Sequence, residues 1–148
     1  MKLLLAICLL CSGLAWASDL PLSVAKKLAE HAASFAAEKS WSVTVAIVNA
    51  EGNLVYFQRG DGTYVGSIES AQQKAVSANA FRRPTSAFVE AVKTKPGLVT
   101  GKNVVAIEGG VPVVLNGVHV GAIGVSGAKA VEDEEVANAA LKKLQAKN

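Results

Sequence analysis

Cysteine, methionine and histidine are scarce in this sequence, and their scarcity excludes much of the chemistry a small protein can carry. The two cysteines, Cys8 and Cys11, and the single methionine, Met1, all fall within the first 11 of 148 residues. That stretch reads as a secretory signal. Lys2 supplies a positive start, Leu3 to Leu10 is an unbroken apolar run, and Ala15-Trp16-Ala17 offers small residues at both positions a signal peptidase reads. The run is too short to span a bilayer. Neither cysteine follows the small residue that lipidation requires. We therefore expect residues 1–17 to be removed and residues 18–148 to work as one domain, periplasmic or secreted. The remaining chain would hold no disulfide, no thiolate nucleophile and no Cys or Met metal ligand.

Other absences narrow the field further. Losing Lys2 lowers the formal net charge from +3 to about +2, and no basic stripe stands out, so nucleic acid is not an expected partner. After the signal no apolar run approaches membrane-spanning length, so no membrane span is expected. Only two histidines occur, His31 and His119. They stand apart, without HxxxH spacing, and give no zinc signature. No CxxCH occurs, which excludes covalent c-type haem attachment.

What is present is a regular alternation of elements. Ser23 to Lys39 has Val24, Leu28, Ala32 and Phe35 at helical spacing, with Pro21 and Ser23 suited to its start and the serine as a cap. Trp41 to Asn49 turns β-branched, and Ala50-Glu51-Gly52-Asn53 leads into a returning strand over Leu54 to Arg59. A second helix covers Ser67 to Ala80, with Ile68, Ala71, Ala75 and Ala78 on one side. A shorter helix starts near Pro84 and ends at Lys95-Pro96-Gly97. Asn103 to Ile107 reads as a short apolar strand. Val111 to Leu115 and Val118 to Val125 flank Asn116-Gly117, a dipeptide that favours a type I′ turn. Glu132 to Glu135 open the last helix and Lys142 and Lys143 lie near its end, both favourable to the helix dipole. Five strands joined mainly by hairpins imply an α+β domain, an antiparallel sheet flanked by helices.

Candidate chemistry is sparse. Ser126 in Gly124-Val125-Ser126-Gly127 looks like a nucleophile elbow, but Ala128 fills the last glycine position and the preceding hairpin is antiparallel. The same glycines suit close backbone approach, leaving room for a ligand or a neighbouring subunit. The four acids that follow would repel a phosphate. Arg59, Gly60 and Asp61 form either a surface ion pair or the rim of a pocket in which Arg59 meets a carboxylate. Lys74 and Phe81-Arg82-Arg83-Pro84-Thr85 set basic and aromatic groups at a junction between helices. That suits a flat, partly apolar anion, and solvated surface arginines are the simpler alternative. His31 borders the apolar face of its helix, and His119 follows the Asn116-Gly117 turn.

Taken in order, several segments carry a resemblance: Val45 to Leu54, Arg59-Gly60-Asp61-Gly62, Ser70-Ala71-Gln72-Gln73-Lys74-Ala75, Phe81 with Pro84-Thr85, Gly109-Gly110-Val111-Pro112, Asn116-Gly117, Gly121 to Gly127, and Asp133 to Ala137. Together they resemble the GlcG/HbpS haem-binding family, which includes the C-terminal domain of PduO-type proteins. The sequence departs from the frequent pattern at Asn49 and Glu51. The resemblance implies a profilin-like fold with a five-stranded antiparallel sheet, homo-oligomers, and in several members binding of haem or a related tetrapyrrole. On that basis the expected function is exported haem or tetrapyrrole binding for sensing, scavenging or transfer. Thr85, at the family's Pro-Thr element, is the first residue expected to face the iron, with His119 as a second metal ligand. His31, Tyr56 and Tyr64 are further ligand candidates. Arg82 and Arg83 would pair with propionates, with Lys74 assisting. The alternative is an enzyme or accessory protein that acts on a small organic acid or degrades haem, with Arg59 as carboxylate clamp and Asp61 or His119 moving the proton. A third class is a structural subunit whose glycine-rich strands form an interface.

Overall fold

The structure, a computed structural model, describes residues 20–146, so the expected signal over residues 1–17 lies outside the described residues. Among the described residues four helices and four strands follow in the order α1 (Leu22–Glu38), β1 (Thr44–Asn49), β2 (Leu54–Arg59), α2 (Gly66–Phe81), α3 (Ser86–Thr94), β3 (Gly110–Leu115), β4 (Val118–Ser126) and α4 (Ala130–Gln145). A short 3-10 helix, Pro96–Thr100, continues α3. The strands form one antiparallel sheet in the order β2-β1-β4-β3. Asn116 and Gly117 both take positive φ, 50° and 77°, as the type I′ turn between β3 and β4 requires. Pro21, not Ser23, occupies the cap position of α1, so the serine lies inside the first turn and caps nothing.

The sheet separates two unequal cores. On one face Val45, Ile47, Val111, Val113, Ile123 and Val125 meet α1 and α4 through Leu28, Ala32, Val136 and Leu144. On the other, Ala46, Val48 and Ala122 meet Ala71, Ala75 and Ala78 of α2. The second core is built almost wholly from alanine, so helix and sheet come very close. Gly124 makes this approach possible, since a Cβ there would overlap the Ala71 carbonyl and the Ala75 amide.

The expected strand over Asn103–Ile107 does not form, and the sheet has four strands, not five. The segment is apolar and β-branched, but its backbone is used elsewhere. Asn103 turns into the left-handed region at φ 65°, and the Val105 N–H donates to Ser77 Oγ on α2 at 3.1 Å. Tertiary contact with a helix satisfies the donor that a strand neighbour would have taken.

Candidate functional site

The register places two polar constellations at opposite ends of the sheet. Thr44 pairs with both Arg59 and Ser126 at one end, while Asn49 pairs with Gly121 at the other, just short of His119.

At the first end hydroxyls bind one another. Thr44 Oγ1 lies 2.8 Å from Ser67 Oγ, and Ser126 Oγ lies 3.2 Å from the Tyr64 hydroxyl. Ser126 is buried in this network, at the opposite end of β4 from His119. Arg59 does not turn to Asp61. Its Nη2 donates to the Thr63 carbonyl at 2.6 Å and its Nε to Thr63 Oγ1 at 3.1 Å, closing the loop after β2.

The same end holds a buried ion pair that crosses the layers. Lys74, in the middle of α2, is 1% exposed and donates to Asp133 Oδ2 of α4 at 2.8 Å and to the Val125 carbonyl at 2.9 Å. Asp133 is 2% exposed, and its Oδ1 accepts the Ala128 N–H at 3.0 Å. Burial raises the Asp133 carboxyl above its ordinary value, opposed by Lys74 and by the Ala128 N–H. Gly109 and Gly110 leave the space this requires, because a Cβ on either would strike Lys74. Thr85 belongs here too. It has no exposed surface, exchanges backbone contact with Gly110, and accepts the Gly110 N–H on its Oγ1 at 3.0 Å. Thr85 therefore pins the start of α3 to β3, and a ligand reaches its hydroxyl only if that junction opens.

At the other end α2 terminates over the sheet. Asn79, in its last turn, donates from Nδ2 to the Ala50 carbonyl at 3.1 Å and meets His119 Nε2 through Oδ1 at 2.8 Å. His119 Nδ1 is buried and has no hydrogen-bond partner. Burial lowers the imidazole pKa below its ordinary value, and the Arg82 charge pushes it the same way. The helix stops in a Schellman arrangement, the Arg83 N–H reaching the Ala78 carbonyl, with Arg82 in the left-handed cap position at φ 50°, ψ 40°. Arg82 and Arg83 are exposed. Arg83 lies over the Phe88 ring at 5.9 Å, and Phe88 meets Phe81 edge to face at 5.0 Å. Val114 of β3 pairs with His119, and Leu54 of β2 pairs with Val48, which faces α2; both side chains are exposed, on opposite edge strands of the sheet.

Of the seven residues expected to hold a cofactor, the structure brings Arg82 within electrostatic reach of His119, and Arg83 follows it in the chain, lying over Phe88. Lys74 and Thr85 lie inside the protein at the other end, Arg59 ends β2 and binds Thr63 of the loop that follows, and His31 is on α1, across the sheet. Asn79 was not expected. A signal for it existed, because Asn79 falls one turn after Ala75 on the buried stripe of α2, where an amide needs partners. A cleft of about 370 Å³ along α2 is lined by Gln72, Gln73, Val76, Asn103, Val104 and Val105. Its neutral amides and valines offer no charge to an acid. Among the described residues no group of three or more His, Cys, Asp and Glu side chains is placed to hold a metal ion. No described helix is long and apolar enough to cross a membrane.

The lowered His119 pKa has a thermodynamic consequence. As pH falls below about 6.5, the unfolded chain takes up this proton before the folded one, so folding stability declines. Urea melts at neutral and mildly acidic pH should show a smaller drop for His119→Gln than for the native chain. Equal drops would assign the loss to other groups.

The haem-degrading HbpS-like family model matches residues 20–142. This chain belongs to the HbpS-like family. GlcG of Escherichia coli K12 is 37% identical over 92 residues, 62% of this chain and 69% of GlcG. The crystal structure of HbpS superposes with a TM-score of 0.81 at 35% identity, covering 86% of this chain and 91% of HbpS. The crystal structure of a PduOC–haem complex gives a TM-score of 0.76 at 25% identity over 84% of this chain and 94% of that one. The antiparallel sheet with flanking helices is thus an HbpS-like α+β architecture.

Proposed function

We propose that this is an exported homo-oligomeric protein that binds haem or a related tetrapyrrole reversibly, for sensing, scavenging or transfer, at the C-terminal end of α2. The observation that carries the site is His119, whose buried Nδ1 lacks any partner, with the exposed Arg82 and Arg83 at the adjoining end of α2 and the exposed Val114 paired with it across the strands. An unpaired buried acceptor costs about 1–3 kcal/mol, and a ligand that engages it recovers that cost. The donor set fits the group: one imidazole for the iron, guanidinium groups for two propionates, and the exposed Val114 and Phe81 for the apolar plane. Bound haem would supply a Lewis-acidic, redox-active iron. The chain's own part is to hold the imidazole neutral and to neutralise the acid groups. A single imidazole without Cys or Met suits labile binding. Export is supported by the signal pattern of residues 1–17, and oligomer formation by the edge strands β2 and β3. The PduOC–haem complex supports the ligand class. Enzymatic use of Arg59 as a carboxylate clamp finds less support, because its guanidinium is occupied by Thr63.

Titration with hemin, followed by absorbance, tests this reading. A saturable Soret shift near one equivalent per site is expected, with affinity reduced about tenfold or more in His119→Ala. Weak, non-saturable association, equal to that of His119→Ala, would overturn it.

A further inference from the structure

The hydrogen bonds around Asn79 determine more than the position of His119. A carbonyl only accepts, so the group that Asn79 offers to Ala50 must be its amide nitrogen. Its oxygen therefore faces His119, and an oxygen acceptor requires a proton on Nε2. In the neutral imidazole the lone pair then resides on Nδ1, the nitrogen without a partner. Asn79 is itself only 7% exposed and held by the β1–β2 turn, so the amide cannot readily exchange its two ends.

We propose that Asn79 is a positioning residue that keeps His119 in the Nε2–H tautomer, so that Nδ1 is the nitrogen presented to the ligand. The proposal rests on His119 as the ligand-binding imidazole, and it adds which atom binds and which side chain selects it. Nδ1 is buried in the ligand-free protein, so the proposal requires the end of the β3–β4 hairpin to open. His119 lies between the register shift at Val113/Val114 and the Asn116–Gly117 turn, where the β3–β4 ladder ends. Asn79, anchored on the Ala50 carbonyl, holds the ring through Nε2, as outer-shell partners hold metal-ligating histidines.

The test uses long-range proton–nitrogen correlation spectra of the ¹⁵N-labelled ligand-free protein at neutral pH, together with hemin titrations. His119 should carry its proton on Nε2 in the native chain and in Asn79→Asp, which keeps the acceptor oxygen. Asn79→Ala should lose that preference and bind hemin about ten- to hundredfold more weakly. A native Nδ1–H tautomer would overturn the inference even if hemin binds. So would tighter hemin binding by Asn79→Ala, because Asn79 would then be competing for Nε2 instead of orienting the ring. Failure of the native chain to bind hemin, with the Nε2–H tautomer intact, would overturn the ligand assignment in both proposals and leave the tautomer lock standing.

Discussion

Replacing Asp133 by Asn should destabilise the fold by about 3–5 kcal/mol, because it leaves the Lys74 ammonium buried with no counter-charge. An amide still accepts one hydrogen bond, but it cannot offset the cost of keeping the cation away from water. Lys74→Met should cost less, since the remaining carboxyl, already raised by burial, can take up a proton. The double variant Lys74→Met with Asp133→Leu removes both charges and should recover most of the loss. Denaturant melts of the three variants check the ordering. If Asp133→Asn costs under about 1 kcal/mol, the pair is solvated and does not join α2 to α4 through the end of the sheet. The same linkage sets a pH dependence. A folded-state carboxyl pKa above the ordinary 3.8 means that the folded chain binds this proton more tightly than the unfolded chain. The group's contribution is therefore complete below that value and declines as pH rises through the window above it. Asp133→Asn should abolish that component.

Arg82→Gly should separate stability from binding. Arg82 sits in a left-handed conformation that disfavours any side chain by about 1 kcal/mol, at a helix stop where glycine is the common choice. Removing the side chain should leave the melting midpoint unchanged or higher. Loss of a charge-assisted contact worth about 1.5–3 kcal/mol should weaken hemin binding tenfold or more. A residue kept where the backbone prefers another is a pointer to function. A variant that melts lower and binds hemin normally would make Arg82 part of the helix cap alone.

Local signals in the sequence located most elements. Periodicity marked α1, α2 and α4, and Asn116-Gly117 marked the β3–β4 hairpin to the residue. Asn103–Ile107 misled because β-branched content is a local quantity, whereas the fate of the Val105 N–H depends on Ser77, which lies on α2. Lys74 and Asp133 show the same limit more sharply. Lys74 reads as a cation of the basic junction that assists ligand binding and Asp133 as one acid of four at a helix start, yet 59 residues apart in sequence they form one buried pair. Arg82, Arg83 and His119 were legible as candidates because charge and imidazole are conspicuous. Their convergence was not, since it depends on where α2 ends above the sheet. Thr85 is a candidate only through the family resemblance at the Pro-Thr element, and its burial against Gly110 follows from the same close helix–sheet packing.

Tetrapyrrole binding where α2 ends over β4 is tested most directly by a proton–nitrogen correlation spectrum of the labelled protein titrated with gallium protoporphyrin IX, a diamagnetic analogue of hemin. The largest shifts should cluster at Asn79, Arg82, Arg83 and His119, with Ala50 and Val114 beside them. Shifts centred instead on Thr85 and Gly110, or on Arg59 and Thr63 at the opposite end, would contradict it.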